Sequence, residues 1–479
     1  MENYKRILVT GATGYVGGRL IPRLLNAGYD VRILVRNQQK LKTVTWRKRV
    51  QIIVGDVLER ALLLSALEGV DAAFYLIHSM TGGSDFAEQD KTAAQNFGEL
   101  AKNVGVKRVI YLGGLGDPNT NLSEHLRSRQ ESGEILRRSG VCLTEFRAAI
   151  IIGPGSISFE MIRYLTERIP IMICPRWVKT KVQPIAIDDV INYLVESLKT
   201  PDSEDQIIEI GGADVLTYGE MMKGYANVRG LHRLLINVPV LTPRLSSYWV
   251  HWVTPISASY ARPLIEGLRN EVIVRNNKAS AIFPEIESSN YKDAVHQALS
   301  LLDPDYFEVE FDTSKDTKVV CFTKIQKGMI IEVRQKIVHS IAESVYKSFT
   351  DFGGPNRWPC NLAWRMRAAI DRILGGVGMR KSKPRMDDIK LGDTVDFFKV
   401  VKIEQNKMIR LKAEMKLPGN GWLQLEAEPV RDNLTKLIQT VFFAPKGLLG
   451  YIYWYLLYPI HQIIFTKMIN QLAAKAEHT

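Results

Sequence analysis

The chain has 479 residues, 46% of them hydrophobic and 24% charged, a balance that excludes disordered, fibrous and collagen-like classes and leaves a globular protein with a sizeable core. At roughly 150 residues per domain, two to three domains are expected. The net charge is +12, but the excess is spread along the chain rather than gathered in one segment, which argues against nucleic-acid binding.

Cys142, Cys174, Cys321 and Cys360 stand far apart, so neither a disulfide framework nor a zinc site is expected. The N-terminus enters its first apolar run at once; without a signal-peptide pattern, the expectation is a cytoplasmic protein.

The first element is the run Ile7-Leu8-Val9, followed by Thr10-Gly11-Ala12-Thr13-Gly14-Tyr15-Val16-Gly17 and a helical pattern to Asn26. Strand, glycine turn and helix in that order predict a dinucleotide site. Gly11 permits the tight turn, Gly14 lets a pyrophosphate approach the backbone, and Gly17 lets helix pack on strand. The phosphates would rest on free N–H groups at the positive end of the helix. The alternative is an ordinary turn.

The GxxGxxG spacing within TGATGYVG resembles that of the atypical, extended-type short-chain dehydrogenase/reductases, the NAD(P)H-binding NmrA/epimerase-like proteins. The second strand, Asp30 to Arg36, ends in arginine where an acidic residue would hold the ribose 2′-OH of NAD. Arginine suits a 2′-phosphate, so NADP(H) is favoured over NAD(H); the alternative is a plain surface charge. The third short apolar run, Val50 to Val57, ends in Gly-Asp-Val, and the resemblance implies that Asp56 and Val57 bracket the adenine. The fourth strand, Ala72 to His78, should bring Leu76 and Ile77 along the ribose and nicotinamide, since ligands of such sheets lie beyond the strand C-termini. Strands alternating with helical stretches predict an α/β fold, a Rossmann-type doubly wound parallel sheet.

The fifth strand, Arg108 to Gly116, carries Gly113 and Gly114 where the family carries a serine. The family's YxxxK is also missing; His125 and Arg129 keep its i, i+4 spacing with other residue types. Histidine exchanges protons near neutral pH, and an arginine beside it would keep it neutral and hold a phosphate or ribose. His78, at the end of the fourth strand, is a second candidate. The alternative is that all three are ordinary structural or surface residues. Further on, Asp188 and Asp189 open a helix and read as caps of its free N–H groups. The resemblance extends to about residue 225. Dense aromatics and prolines between about 230 and 300, including Tyr248, Trp249 and Trp252, suggest a small apolar substrate-covering part.

From about residue 305 the pattern changes to alternating strands, among them Val395 to Val401, with Pro418-Gly419-Asn420-Gly421 as a turn between strands. A long apolar helix follows. VDFFKV, LKAEMKLPGNGWLQLE and FFAPKGLLGYIYWYLLYPIH resemble a domain fused behind atypical short-chain dehydrogenases, and strands curving around one C-terminal helix resemble the helix-grip, START/SRPBCC-like architecture, which implies a second, α+β domain over 305–479 behind a dinucleotide-binding domain over 1–300. Residues 448–465 read as a helix clasped by the sheet or, alternatively, as a peripheral membrane contact. The basic stretch 365–385 reads as a solvated loop or an anion-facing one.

The function these features imply is an NADP(H)-dependent oxidoreductase acting on an apolar small molecule held between the two domains. The alternatives are a non-catalytic NADP(H)-binding sensor or scaffold, and a lipid or quinone carrier.

Overall fold

The computed structural model describes residues 4–42, 44–78, 86–238, 253–255, 265–307, 319–350, 367–369, 371–373, 375–376, 378 and 389–478. The aromatic run 239–252, Cys360 and most of the basic stretch 365–385 lie outside them. The chain divides into two units, Met1–Leu301 and Leu302–Thr479.

The first unit is built on β1 (Arg6–Thr10), β2 (Asp30–Val35), β3 (Gln51–Val54), β4 (Ala72–Tyr75), β5 (Arg108–Gly114) and β6 (Leu143–Ala148). Four two-residue or four-residue strands follow: β7 (Ile151–Ile152), β8 (Ile171–Cys174), β9 (Lys181–Val182) and β10 (Ile185–Ala186). Then come β11 (Ile207–Ile210), β12 (Leu216–Thr217) and β13 (Leu234–Asn237). Seven of these make a parallel sheet in the order β11-β6-β5-β4-β1-β2-β3. The order reverses between β1 and β4, which is where a doubly wound sheet opens a ligand crevice.

Both faces of the sheet are covered, and the strands show why. Ile7 and Val9 face one cluster together with Leu20, Ile21 and Leu24 of α1 (Gly17–Asn26). Leu8, between them, faces the other, with Leu63 of α2 (Arg60–Leu67), Phe97 of α3 (Phe86–Asn103) and Leu136 of α4 (Glu124–Arg138). Side chains alternate along a strand, so a continuous apolar run is what a strand buried on both faces requires.

Two local expectations change. β4 stops at Tyr75, so Leu76, Ile77 and His78 belong to the loop at its C-terminal end rather than to the strand. Asp188 and Asp189 lie in the first turn of the helix Ile187–Ser197 but cap nothing. Asp189 accepts instead from the backbone N–H of Ser289 at 2.8 Å, and Asp188 from Gln297, tying down a distant segment.

The second unit is an antiparallel sheet: β14 (Val320–Gln326), β15 (Met329–Val338), β16 (Thr394–Val395), β17 (Phe398–Glu404), β18 (Met408–Ala413), β19 (Gly419–Arg431) and β20 (Leu434–Pro445). Its order is β14-β15-β20-β19-β18-β17-β16. The expected single strand over 395–401 is a hairpin, because Asp396 takes a φ of 54° and turns the chain so that Val395 pairs with Phe398. Asp tolerates that left-handed region better than most residues. The expected turn at Pro418-Gly419-Asn420-Gly421 lies earlier than the glycines: residues 414–418, Pro418 included, connect β18 to β19, and Gly419 to Gly421 already pair with Pro445 to Phe443 in the ladder. These glycines serve close approach rather than a turn: a side chain at Gly419 would run into the Ala444 carbonyl.

A helix over Gly447–Glu477 packs on β15, β20 and the helix Ala342–Thr350. Trp454, Phe465, Met468 and Leu472 are buried. Its other face is open, with Leu449 at 72% and Leu456 at 73% exposure beside Ile452, Ile460 and Ile463, so the expected fully clasped helix is clasped on one side only. Among the described residues, no helix is long and apolar enough to cross a membrane.

Candidate active site

The glycine turn leads from β1 into α1. Gly11 has a φ of 71°, and a Cβ there would stand 2.5 Å from the Leu76 carbonyl oxygen; only glycine fits both conditions. A Cβ at Gly17 would strike the Gly11 carbonyl, so helix and turn touch there. At Gly14 the only nearby atoms belong to Gly11, the closer of them at 3.0 Å, which leaves its other side open.

That open side faces a cleft of about 350 Å³. Gly11, Ala12, Thr13, Gly14, Arg36, Asp56, Val57, Leu76, Ile77 and His78 all line it. Three further residues expected there do not: Val16 and Gly17 stand behind the turn, and Tyr15 lines a second pocket. Arg36 is exposed at the cleft and forms no ion pair among the described residues. Asp56 uses one carboxylate oxygen to accept from the Leu58 N–H at 3.0 Å. The cleft fits a dinucleotide: its floor is a cradle that a Cβ would fill, beside an exposed cation at the end of β2.

His125 and Arg129, one turn apart on α4, line the second pocket, of about 250 Å³. Ser123 starts that helix by accepting from the Leu126 N–H. Leu115, Leu126, Ile150, Ile157 and Leu268 make the pocket largely apolar. His78 reaches from the cleft toward it: its Nε2 lies 3.0 Å from His125 Nδ1. On its other side His78 Nδ1 lies 3.2 Å from Asp90 Oδ2, and the same oxygen accepts from Ser128 Oγ at 3.4 Å. An Asp90–His78–His125 chain thus links cleft and pocket.

A carboxylate only accepts, which settles the tautomers. His78 carries its proton on Nδ1, its Nε2 accepts from His125 Nδ1–H, and His125 Nε2 keeps a lone pair. Burial, His78 and Arg129 together push the His125 pKa down to about 2. Burial also lowers that of His78, against the pull of Asp90. Both rings are therefore neutral at pH 7. Arg129 donates to the Leu112 carbonyl at 2.7 Å and lies across Gly114, where any side chain would meet Leu126 and Arg129. The glycine in the serine's place makes room for the arginine.

Sequence reasoning named His78, His125 and Arg129 but missed Asp90. Its signal was present: Asp90, Ala94, Phe97 and Ala101 share one face of α3 at helical spacing, and a carboxylate on a buried face needs a partner.

Residues 11–156 match the family model described as NAD(P)H-binding, and residues 331–468 one described as a protein of unknown function (DUF2867). A ceramide reductase of Caulobacter vibrioides is 27% identical over 241 residues, which are 49% of this chain and 73% of that protein. The photosystem II assembly factor Ycf39 of Cyanophora paradoxa is 23% identical over 239 residues, 49% of this chain and 72% of that protein. Among solved structures, the NADPH-dependent quinone oxidoreductase QOR2 of Escherichia coli, complexed with NADPH, aligns with a TM-score of 0.51 at 18% identity, over 61% of this chain and 99% of that one. The first unit thus has an NAD(P)H-binding, Rossmann-type fold that it shares with these proteins.

Proposed function

We propose that the protein is an NADPH-dependent reductase of an apolar carbonyl compound. The observation that carries this reading is the Asp90–His78–His125 chain, which joins the dinucleotide cleft to an apolar pocket. The reductase among the relatives supports it, and Arg36 supports the preference for NADPH over NADH.

Bound NADPH supplies a hydride for the substrate carbon. The chain's residues then have one proton to move. In the oxidative direction the substrate hydroxyl proton passes to His125 Nε2, the His125 Nδ1 proton to His78 Nε2, and the His78 Nδ1 proton to Asp90, which releases it to water; reduction begins with Asp90 taking up a proton from water and runs the same shifts backwards. No imidazolium forms at any stage, which suits two histidines whose burial opposes charge. The test is NADPH consumption with a panel of aryl and alkyl ketones and aldehydes. His125→Asn should lower turnover about a hundredfold or more, in the range for general acid–base groups, with NADPH affinity unchanged; equal turnover would sink the reading.

A second reading, a non-catalytic NADP(H)-binding scaffold, is favoured by one observation: Gly114 and His125 stand where serine and tyrosine are expected. The relative that is an assembly factor supports it. For the second unit we propose a helix-grip, START-like architecture, supported by its sheet order and by the last helix laid along β15 and β20. Its cavity of about 270 Å³ beneath Trp422, Phe443 and Trp454 suits the carriage of an apolar molecule. The open face at Leu449, Ile452 and Leu456 supports peripheral membrane contact, checked by flotation with anionic vesicles and its loss in a Leu449→Glu, Leu456→Glu variant.

A further inference from the structure

We infer that Tyr15 and Arg129 form a two-donor clamp for the substrate's carbonyl oxygen, so that the pocket selects an apolar ketone or aldehyde by its oxygen rather than by its hydrocarbon body. This rests on the reductase reading above and deepens it.

Two buried donors in this pocket lack an acceptor. Among the described residues Tyr15 Oη and Arg129 Nε have no hydrogen-bond partner, and both residues line the same apolar cavity beside His125. Buried polar groups are nearly always paired, so two orphans on side chains that line one cavity indicate an acceptor that arrives with a ligand. Arg129 also forms no ion pair among the described residues, while one of its other nitrogens is fixed on the Leu112 carbonyl. A guanidinium held in this way is a preorganised cation.

The surroundings hold both donors in place. The Arg19 guanidinium lies 4.2 Å from the centre of the Tyr15 ring and is itself anchored on the carbonyls of Tyr15 and Pro154. Gly153 leaves space for the Tyr15 hydroxyl, since a Cβ there would collide with it. Gly114 leaves the corresponding space for Arg129. Two glycines therefore shape the pocket around two donors, and neither donor is the serine or the lysine that the usual arrangement would supply.

The clamp fits the reaction. When hydride adds to the carbonyl carbon, a C–H bond forms, the C=O π bond breaks and its electron pair moves to oxygen. A cation and a neutral O–H aimed at that oxygen stabilise the charge as it develops. The oxygen then takes its proton from His125 Nε2, after Asp90 has taken up one proton from water and the shifts through His78 have carried it there, giving the alcohol and NADP+.

The probe is 2-naphthoate, whose carboxylate mimics the charged oxygen on an apolar body. Calorimetric titration of the full chain saturated with NADP+ should show binding. The affinity should fall about tenfold in Tyr15→Phe and further in Arg129→Met, with Arg129→Lys recovering part of it, in line with one neutral and one charged hydrogen bond. Affinity for NADP+ should stay within about twofold in all three. Naphthoate that fails to bind the wild type, or binds all variants equally, overturns the clamp. If NADP+ itself does not bind, the reductase reading falls instead, and the same titration without nucleotide still tests the two donors.

Discussion

Arg36 stands exposed at the end of β2 and forms no ion pair among the described residues, and on the proposed function it sets which nucleotide the cleft prefers. Replacing it by aspartate removes a charged hydrogen bond to a 2′-phosphate, worth roughly 1.5–3 kcal/mol, so NADPH affinity should fall by a factor of about 10 to 150 while NADH affinity holds or rises. Gly11→Ala tests the turn: its φ of 71° and the Leu76 carbonyl at 2.5 Å should cost at least about 1 kcal/mol of stability, read from the urea midpoint. At this scale the cleft was legible, because glycine spacing and a charge at a strand end are local patterns. Asp90 was not, because its role depends on α3 crossing behind β4 to bring it against His78. Tyr15, expected at the cofactor, lines the second pocket: the glycine motif fixes the backbone path, whereas its side chain lies against Gly153, far along the chain.

Elements were legible in proportion to how local their cause was. The alternating strands and helices of the first unit follow from apolar periodicity. In the second unit Asp396 splits an apparent strand into a hairpin, and glycines that read as a turn lie inside β19. Both errors have one source: glycine and aspartate allow a turn without requiring one, and tertiary pairing makes the choice. The sequence also held a buried ion pair that periodicity does not reveal. Glu332 and Arg334, two residues apart on β15, are fully buried and bonded to each other; burial raises the Glu332 pKa, opposed by Arg334. Removing one charge leaves the other stranded, so Arg334→Met should cost about 3–5 kcal/mol. The double variant Glu332→Leu, Arg334→Met should recover most of that. Equal losses in single and double variants by urea denaturation would show that packing, not charge, governs the site.

For the whole molecule the buried histidines set the response to acid. His125 is held at a pKa of about 2, by burial, His78 and Arg129, and His461 at about 4, by burial, Arg334 and Arg367; both titrate near 6.5 when unfolded. Below that value the unfolded chain binds protons that the folded one refuses, so stability falls as pH drops. The His461 contribution to this loss levels off near pH 4, while that of His125 continues toward pH 2; above about 6.5 both vanish. Urea midpoints between pH 8 and 5 should show the decline, and His125→Gln should flatten it. The sequence changes from mixed to all-strand periodicity near residue 305, and the chain divides between Leu301 and Leu302.

On the proposed function the cleft binds NADPH, and Arg36 makes it the preferred nucleotide. Calorimetric titration of the purified chain with NADPH and with NADH, repeated on Arg36→Asp, tests it most directly. Binding of NADPH in preference to NADH, with that preference lost in the variant, is the expected result. Binding of neither nucleotide would contradict it and leave the glycine turn a purely structural feature.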